Sequence, residues 1–139
     1  MLYVTEGRGA ARLFSINGGL QEGYGPTGKV HDLSEVVATH HAWQKANGLI
    51  LGGLVSANTV TYGWPQNGEI HSASEPGWKF EGGKNVLYEM DVSDEQFLDR
   101  LQSLASALAE ALGQTRVYMH YAGEDFILQR PQASTPTGN

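Results

Sequence analysis

Cysteine is missing from all 139 residues, which removes disulfides, thiolate nucleophiles and thiolate zinc sites together. Charge is also thin, at 17% of residues against roughly 25% in an average soluble domain. Basic residues are the scarcer kind: nine Lys and Arg face fifteen Asp and Glu, a net charge of −6. Such a balance offers no electrostatic footprint to phosphate backbones or anionic lipid, so neither nucleic acid nor membrane is an expected partner. Long apolar runs are absent as well, and Met1-Leu2-Tyr3-Val4-Thr5-Glu6 carries neither a basic leader nor a signal-length apolar stretch. The expectation is a soluble, cytoplasmic protein.

What is present is enough for a core. Hydrophobic residues make up 40% of a chain of ordinary domain size, so a single domain over 1–130 is expected, followed by a polar tail over 131–139. Eighteen glycines crowd into 7–28, 48–83 and the helix ends, the punctuation of short strands, turns and bulges.

Two helices are predicted. Ser93 reads as an N-cap, Gln96 completes a capping box, Val92 and Phe97 form a hydrophobic staple, and Asp94 and Glu95 suit the positive helix end. Phe97, Leu101, Leu104, Ala105, Leu108 and Leu112 then recur at three- and four-residue spacing, and Gly113 supplies the stop. The other helix runs from about Leu33 to Asn47, opened by Asp32 or Ser34 and closed by Gly48. Its apolar stripe is weaker, which predicts a helix lying on a sheet and partly exposed.

Strands are predicted over 2–5 and 12–16 as a hairpin, 49–55 and 59–62 around a Gly52-Gly53 bulge, 69–74 after an Asn67-Gly68 turn, 86–92, 116–121 and 126–128. The order fits an α+β fold: a two-layer, ferredoxin-like (split βαβ) sandwich, with a mainly antiparallel sheet and two helices on one face. That is a topology that hosts many activities and brings no functional residues with it.

No motif calls for a cofactor. Gly23-Tyr24-Gly25-Pro26-Thr27-Gly28-Lys29-Val30 imitates a phosphate-binding loop, but Val30 stands where the magnesium-holding hydroxyl must be. The histidines are His31, His40, His41, His71 and His120; the adjacent pair points about 100° apart on a helix, and no metal site is expected. Nothing marks a serine nucleophile or a carboxylate pair.

Aromatic residues carry more information. Tyr62, Trp64, Trp78 and Phe80 fall in the glycine-rich stretch 62–83, read as a loop over the hairpin, and Trp43 lies on the first helix. Rings of this kind fill ligand pockets and interface centres, or else a small second core. The preferred expectation is a non-catalytic binding or assembly module acting through protein–protein contacts or self-association, with Tyr62, Trp64, Trp78, Phe80 and Trp43 as contact residues. One alternative is a small enzyme or ligand sensor with a pocket between the sheet and the 62–83 loop, using His71, His120, Glu75 or Tyr62. Another is an acidic inhibitor protein of a mobile element, directed at a basic host protein.

Overall fold

The computed structural model describes residues 1–23 and 27–132. Its elements are β1 (Leu13–Gly19), α1 (Leu33–Asn47), β2 (Leu54–Gln66), β3 (Glu69–Gly83), α2 (Asp94–Ala111), β4 (Arg116–Tyr121) and β5 (Glu124–Gln129). The strands form one sheet in the order β2-β3-β1-β4-β5, every neighbouring pair antiparallel. The first four strands and two helices make the split βαβ sandwich expected from the sequence, and β5 is an added edge strand. No helix among the described residues is long and apolar enough to cross a membrane.

Alternation along the strands sorts the two faces of the sheet. Phe14 and Ile16 of β1, Trp78 and Phe80 of β3, and Val117, Met119 and Tyr121 of β4 are all buried. They meet Phe97, Leu101, Leu104, Ala105, Leu108 and Leu112 from the α2 side, each with no exposed surface. Phe97 packs edge-on to Phe14 at a centroid distance of 5.9 Å. The α2 start is as predicted: Gln96 N–H donates to Ser93 Oγ at 3.1 Å, and Ser93 N–H donates to Gln96 Oε1 at 3.0 Å. In α1 only Val36 and Trp43 are buried, in keeping with its weaker stripe. Asp32 and Glu35 form the capping box there, and Gly48 ends the helix with a left-handed φ of 60°.

Some predicted elements are corrected. Residues 86–92 form turns rather than a strand, because Asn85 organises them locally: its Oδ1 accepts from Leu87 N–H and its carbonyl from Glu89 N–H. The N-terminal hairpin does not form. β1 is flanked by β3 and β4, so it has no free edge for residues 2–5, and Leu2, Tyr3 and Val4 stay exposed. Residues 49–53 precede β2 instead of forming a bulged strand; a Cβ on Gly53 would stand 2.7 Å from the Glu81 carbonyl oxygen. The stretch 62–83 is not a loop. Apart from the Asn67-Gly68 turn it is one long β2–β3 hairpin, in which glycines mark close approach: a Cβ on Gly77 would lie 2.5 Å from Val60 Cγ2 and 2.9 Å from the Gly18 carbonyl oxygen.

Three of the proposed contact aromatics belong to the core. Trp78 is 0%, Phe80 1% and Trp43 5% exposed, and the Trp43 indole donates to Ser103 Oγ at 3.0 Å, linking α1 to α2. Their spacing resembles that of an exposed cluster only if 62–83 is a loop; strand alternation turns Trp78 and Phe80 inward. Part of the phosphate-loop-like string (24–26) and most of the polar tail (133–139) lie outside the described residues.

Candidate functional site

The sheet face away from the helices carries Asn17 and Gly19 on β1, Tyr62 on β2, Glu75 on β3, and Arg116, Tyr118 and His120 on β4. Gly18 and Gly19 leave the end of β1 without side chains, so neighbouring groups close over bare backbone. A Cβ on Gly19 would lie 2.4 Å from Glu75 Oε1 and 3.1 Å from Gln114 Oε1, which places both acceptors above this glycine. Below it, the buried Trp78 indole donates to the Gly19 carbonyl at 3.2 Å. Alongside, Leu20 N–H donates to the Pro76 carbonyl at 2.9 Å, tying the chain leaving β1 to the residue after Glu75.

These groups surround a hollow of about 260 Å³, lined by Asn17, Gly19, Tyr62, Glu75, Arg116 and Tyr118, with Gln114 at its end. Burial raises the Glu75 carboxyl above its ordinary value of 4.5. Gln114 is fixed in orientation, because its amide nitrogen donates to the carbonyls of Gln21 at 2.9 Å and Leu112 at 3.1 Å. Its Oε1 is therefore turned towards Gly19 as an acceptor beside the carboxylate. Arg116 makes no ion pair with any described residue and supplies positive charge on the opposite side.

A second hollow, of about 380 Å³, shares Asn17 and Tyr118 with the first and continues along the open face past Ser15, His120, Asp125 and Ile127. His120 Nδ1 is 2.8 Å from Asp125 Oδ1 there. Ligand sites commonly occupy about 300–1,000 Å³, so the first hollow alone is small and the joined groove is adequate. A larger cavity of about 510 Å³ lies between α2 and the β4–β5 pair, lined by Ala109, Val117, Leu128 and Arg130 among others. It has more room, but the open-face groove sets a carboxyl raised by burial among an arginine and two tyrosines, so it is the better-equipped site.

The fold thus brings together two of the four residues expected in a pocket, Tyr62 and Glu75, and sets His120 in the adjoining hollow. His71 is excluded: its ring stacks on Trp64 with centroids 5.9 Å apart, farther out along the hairpin. Trp64 is exposed and half-stacks with Tyr62, so of the five predicted contact residues Tyr62 alone lines the groove. Asn17, Gly19, Gln114, Arg116 and Tyr118 escape a reading of the sequence. The available signal was Gly18-Gly19 inside a strand pattern, a mark of close backbone approach; the others meet Glu75 only because β1 lies between β3 and β4. Among the described residues no three His, Asp or Glu side chains are grouped to hold a metal ion.

No family model and no curated protein matches this sequence. Solved structures do match in shape. A phage SAM lyase in complex with S-methyl-5'-thioadenosine superposes with a TM-score of 0.73 at 17% identity, over 96% of this chain and 100% of that one. A phage SAM lyase in the apo state gives a TM-score of 0.69 at 20% identity, over 95% of this chain and 100% of that one. At these identities the likeness establishes the fold alone: an α+β architecture with one antiparallel sheet and two helices, shared with those structures. It also corrects the preferred expectation of a non-catalytic binding or assembly module. Both neighbours are enzymes, and three of the aromatics on which that expectation relied are core. The small-enzyme alternative is the one the comparisons favour.

Proposed function

We propose that the protein is a small lyase that cleaves S-adenosylmethionine or a closely related sulfonium nucleoside, releasing a thioether such as S-methyl-5'-thioadenosine. The observation that carries this is the Glu75–Gln114 acceptor pair over Gly19, set between two tyrosine rings, on a fold whose solved neighbours are SAM lyases.

The chemistry fits the groups at hand. When the carbon–sulfur bond breaks, its electron pair stays on sulfur, which turns from a cation into a neutral thioether that needs no proton. A half-buried site lined by Tyr62 and Tyr118 favours this loss of charge, because water no longer stabilises the sulfonium, while the ring faces still attract it during binding. Glu75 then serves best against the α-ammonium, whose charge persists through the reaction, and Arg116 against the carboxylate of the same amino-acid moiety. Gln114 Oε1 accepts from the ammonium or from a nucleoside N–H. In this reading the carboxylate oxygen of the amino-acid moiety bonds to the γ-carbon as the carbon–sulfur bond breaks, closing a lactone with no proton transferred, and the residues bind, orient and exclude water.

Incubation with S-adenosylmethionine should generate S-methyl-5'-thioadenosine detectable by chromatography. Glu75→Gln, which keeps the shape but removes the charge, should lower kcat/KM by about a hundredfold, the scale of a lost desolvated charge pair. Its melting temperature should hold or rise, because burial disfavours the ionised Glu75 in the empty site. Wild-type protein that neither binds nor turns over any sulfonium nucleoside would remove this reading.

The same reading includes self-association of the enzyme. Leu54, Trp64, Tyr118 and Ile127 remain exposed on or beside the open face, at 71%, 40%, 43% and 68%. Light scattering after size exclusion should then report more than one chain. Nucleic acid is no part of the proposal, given the net charge of −6. It assigns the protein to the cytoplasm, a setting in keeping with a cysteine-free chain.

A further inference from the structure

His31 takes no part in the chemistry above, yet the fold keeps it only 6% exposed. Both of its ring nitrogens face carboxylates that come from different parts of the chain. Nε2 is 2.6 Å from Glu22 Oε1 in the segment after β1, and Nδ1 is 3.0 Å and 3.1 Å from the two oxygens of Glu35 in the first turn of α1. A neutral imidazole donates through one nitrogen only, whereas an imidazolium donates through both. Two ionised carboxylates therefore select the charged ring. Among the described residues Glu22 and Glu35 are the charged groups on the ring itself. Lys29 adds positive charge beside Glu35, and Asp32, next in the chain, turns its carboxylate to Ser34 N–H at the helix start.

This cluster is connected to the candidate site through the backbone. His31 N–H donates to the Leu20 carbonyl at 2.7 Å, Gln21 bridges Val30, and Glu22 N–H donates to the Lys29 carbonyl at 2.8 Å. The two arms so paired hold the Gln21 carbonyl, which receives the Gln114 amide, and set Gly23 on the rim of the groove. The Glu22 carboxylate also lies against Gly113, where an added Cβ would stand 2.6 Å from Oε1. A Cβ on Gly28 would lie 1.8 Å from the Glu22 carbonyl oxygen, so the arms close this tightly only with glycine there.

We propose that the Glu22–His31–Glu35 clamp is the positioning element for the acceptor wall of the site, holding Gln114 Oε1 over Gly19, and that ligand affinity depends on His31 being an imidazolium. The role in affinity rests on the reading of the site given above. The hydrogen bond to Glu35, then that to Glu22, raises the His31 pKa above its ordinary 6.5, outweighing its burial. A raised folded-state value means that the stabilisation is complete below about 6.5 and is lost as the pH climbs through the higher folded value. Glu35 moves the other way, lowered first by the His31 bond, so its contribution is present above 4.5 and is lost as the pH falls through the depressed value. The clamp is closed between those limits.

The test combines two measurements on the full chain. Calorimetric titration with S-methyl-5'-thioadenosine, from about pH 5.5 to about pH 9, should show affinity falling about tenfold as the His31 ring, followed by NMR, loses its proton. This ligand is neutral, so the change reports the wall rather than the pairing of Glu75. His31→Gln should bind about tenfold more weakly at low pH and show no such inflection. Glu35→Gln, at a half-buried position, should move the inflection to lower pH while the chain stays folded. An unchanged pH profile in Glu35→Gln would overturn the proposal. If wild-type protein binds no thioether at any pH, the site reading and the role in affinity fall together. The clamp is then judged by hydrogen exchange alone: faster exchange of the Gln114 side-chain amide in His31→Gln supports it, and unchanged protection refutes it.

Discussion

The two faces of this sheet use the same five strands for opposite ends. On the face beneath the helices, Phe14, Ile16, Trp78, Phe80, Val117 and Met119 are sealed from water, and apolar packing dominates, joined by the Trp78 indole bond and, at one end, the Tyr121 hydroxyl donating to Asp94. One residue away along each strand, the open face presents Asn17, Gly19, Glu75, Tyr118 and His120, lined up on a groove. Alternation, with a period of two, therefore places rigid core directly behind the polar groove. Glu75 and Trp78 show the arrangement at its closest: Glu75 lies over Gly19, and Trp78 holds the carbonyl of that same Gly19 from beneath.

Perturbing each face in turn tests the division. Trp78→Ala should produce the largest effect, a loss of about 3–5 kcal/mol in denaturant melts, as expected for emptying a fully buried ring from a packed core. If Trp78→Ala instead weakened association at unchanged stability, the core and groove would be wrongly separated. Gly19→Ala addresses the face above. Its methyl would displace the Glu75 carboxyl and press on the side-chain oxygen of Gln114 rather than on backbone, so we expect about a tenfold loss of ligand affinity with little change in stability. A drop in stability to match would mean that the glycine serves the sheet and not the site. The smallest effect, about 1 kcal/mol, is expected from Ser93→Ala, which removes the α2 cap far from the groove and should leave turnover untouched.

Much of the covered face was legible beforehand. Phe97, Leu101, Leu104 and Leu108 repeat at helical spacing behind a capping box, and both the repeat and the cap are local properties that a short window displays. The Asn67-Gly68 turn is local in the same sense, with φ of 54° and 75°. Residues 86–92 show the limit of propensity. Their valine, leucine and tyrosine are strand formers, but no neighbouring strand offers them an edge, and Asn85 satisfies the backbone first. The glycines of 62–83 are ambiguous in one dimension, since a flexible loop and a tight hairpin both need them; only the partner atoms across the strand distinguish the two.

The site was legible in part. Tyr62 and Glu75 attracted notice by residue type, whereas Gln114 and Arg116 did not, being ordinary polar residues just before and at the start of a predicted strand. The amino-acid order alone determined the two helices, their caps, the central turn and the α+β class, because each depends on contacts within a few positions. Tertiary structure decided that Glu75, Gly19 and Gln114 meet, and that Trp78 faces inward while Tyr62 lines the groove. Those outcomes depend on which strands pair and in what register, and in a sheet a shift of one residue exchanges the two faces.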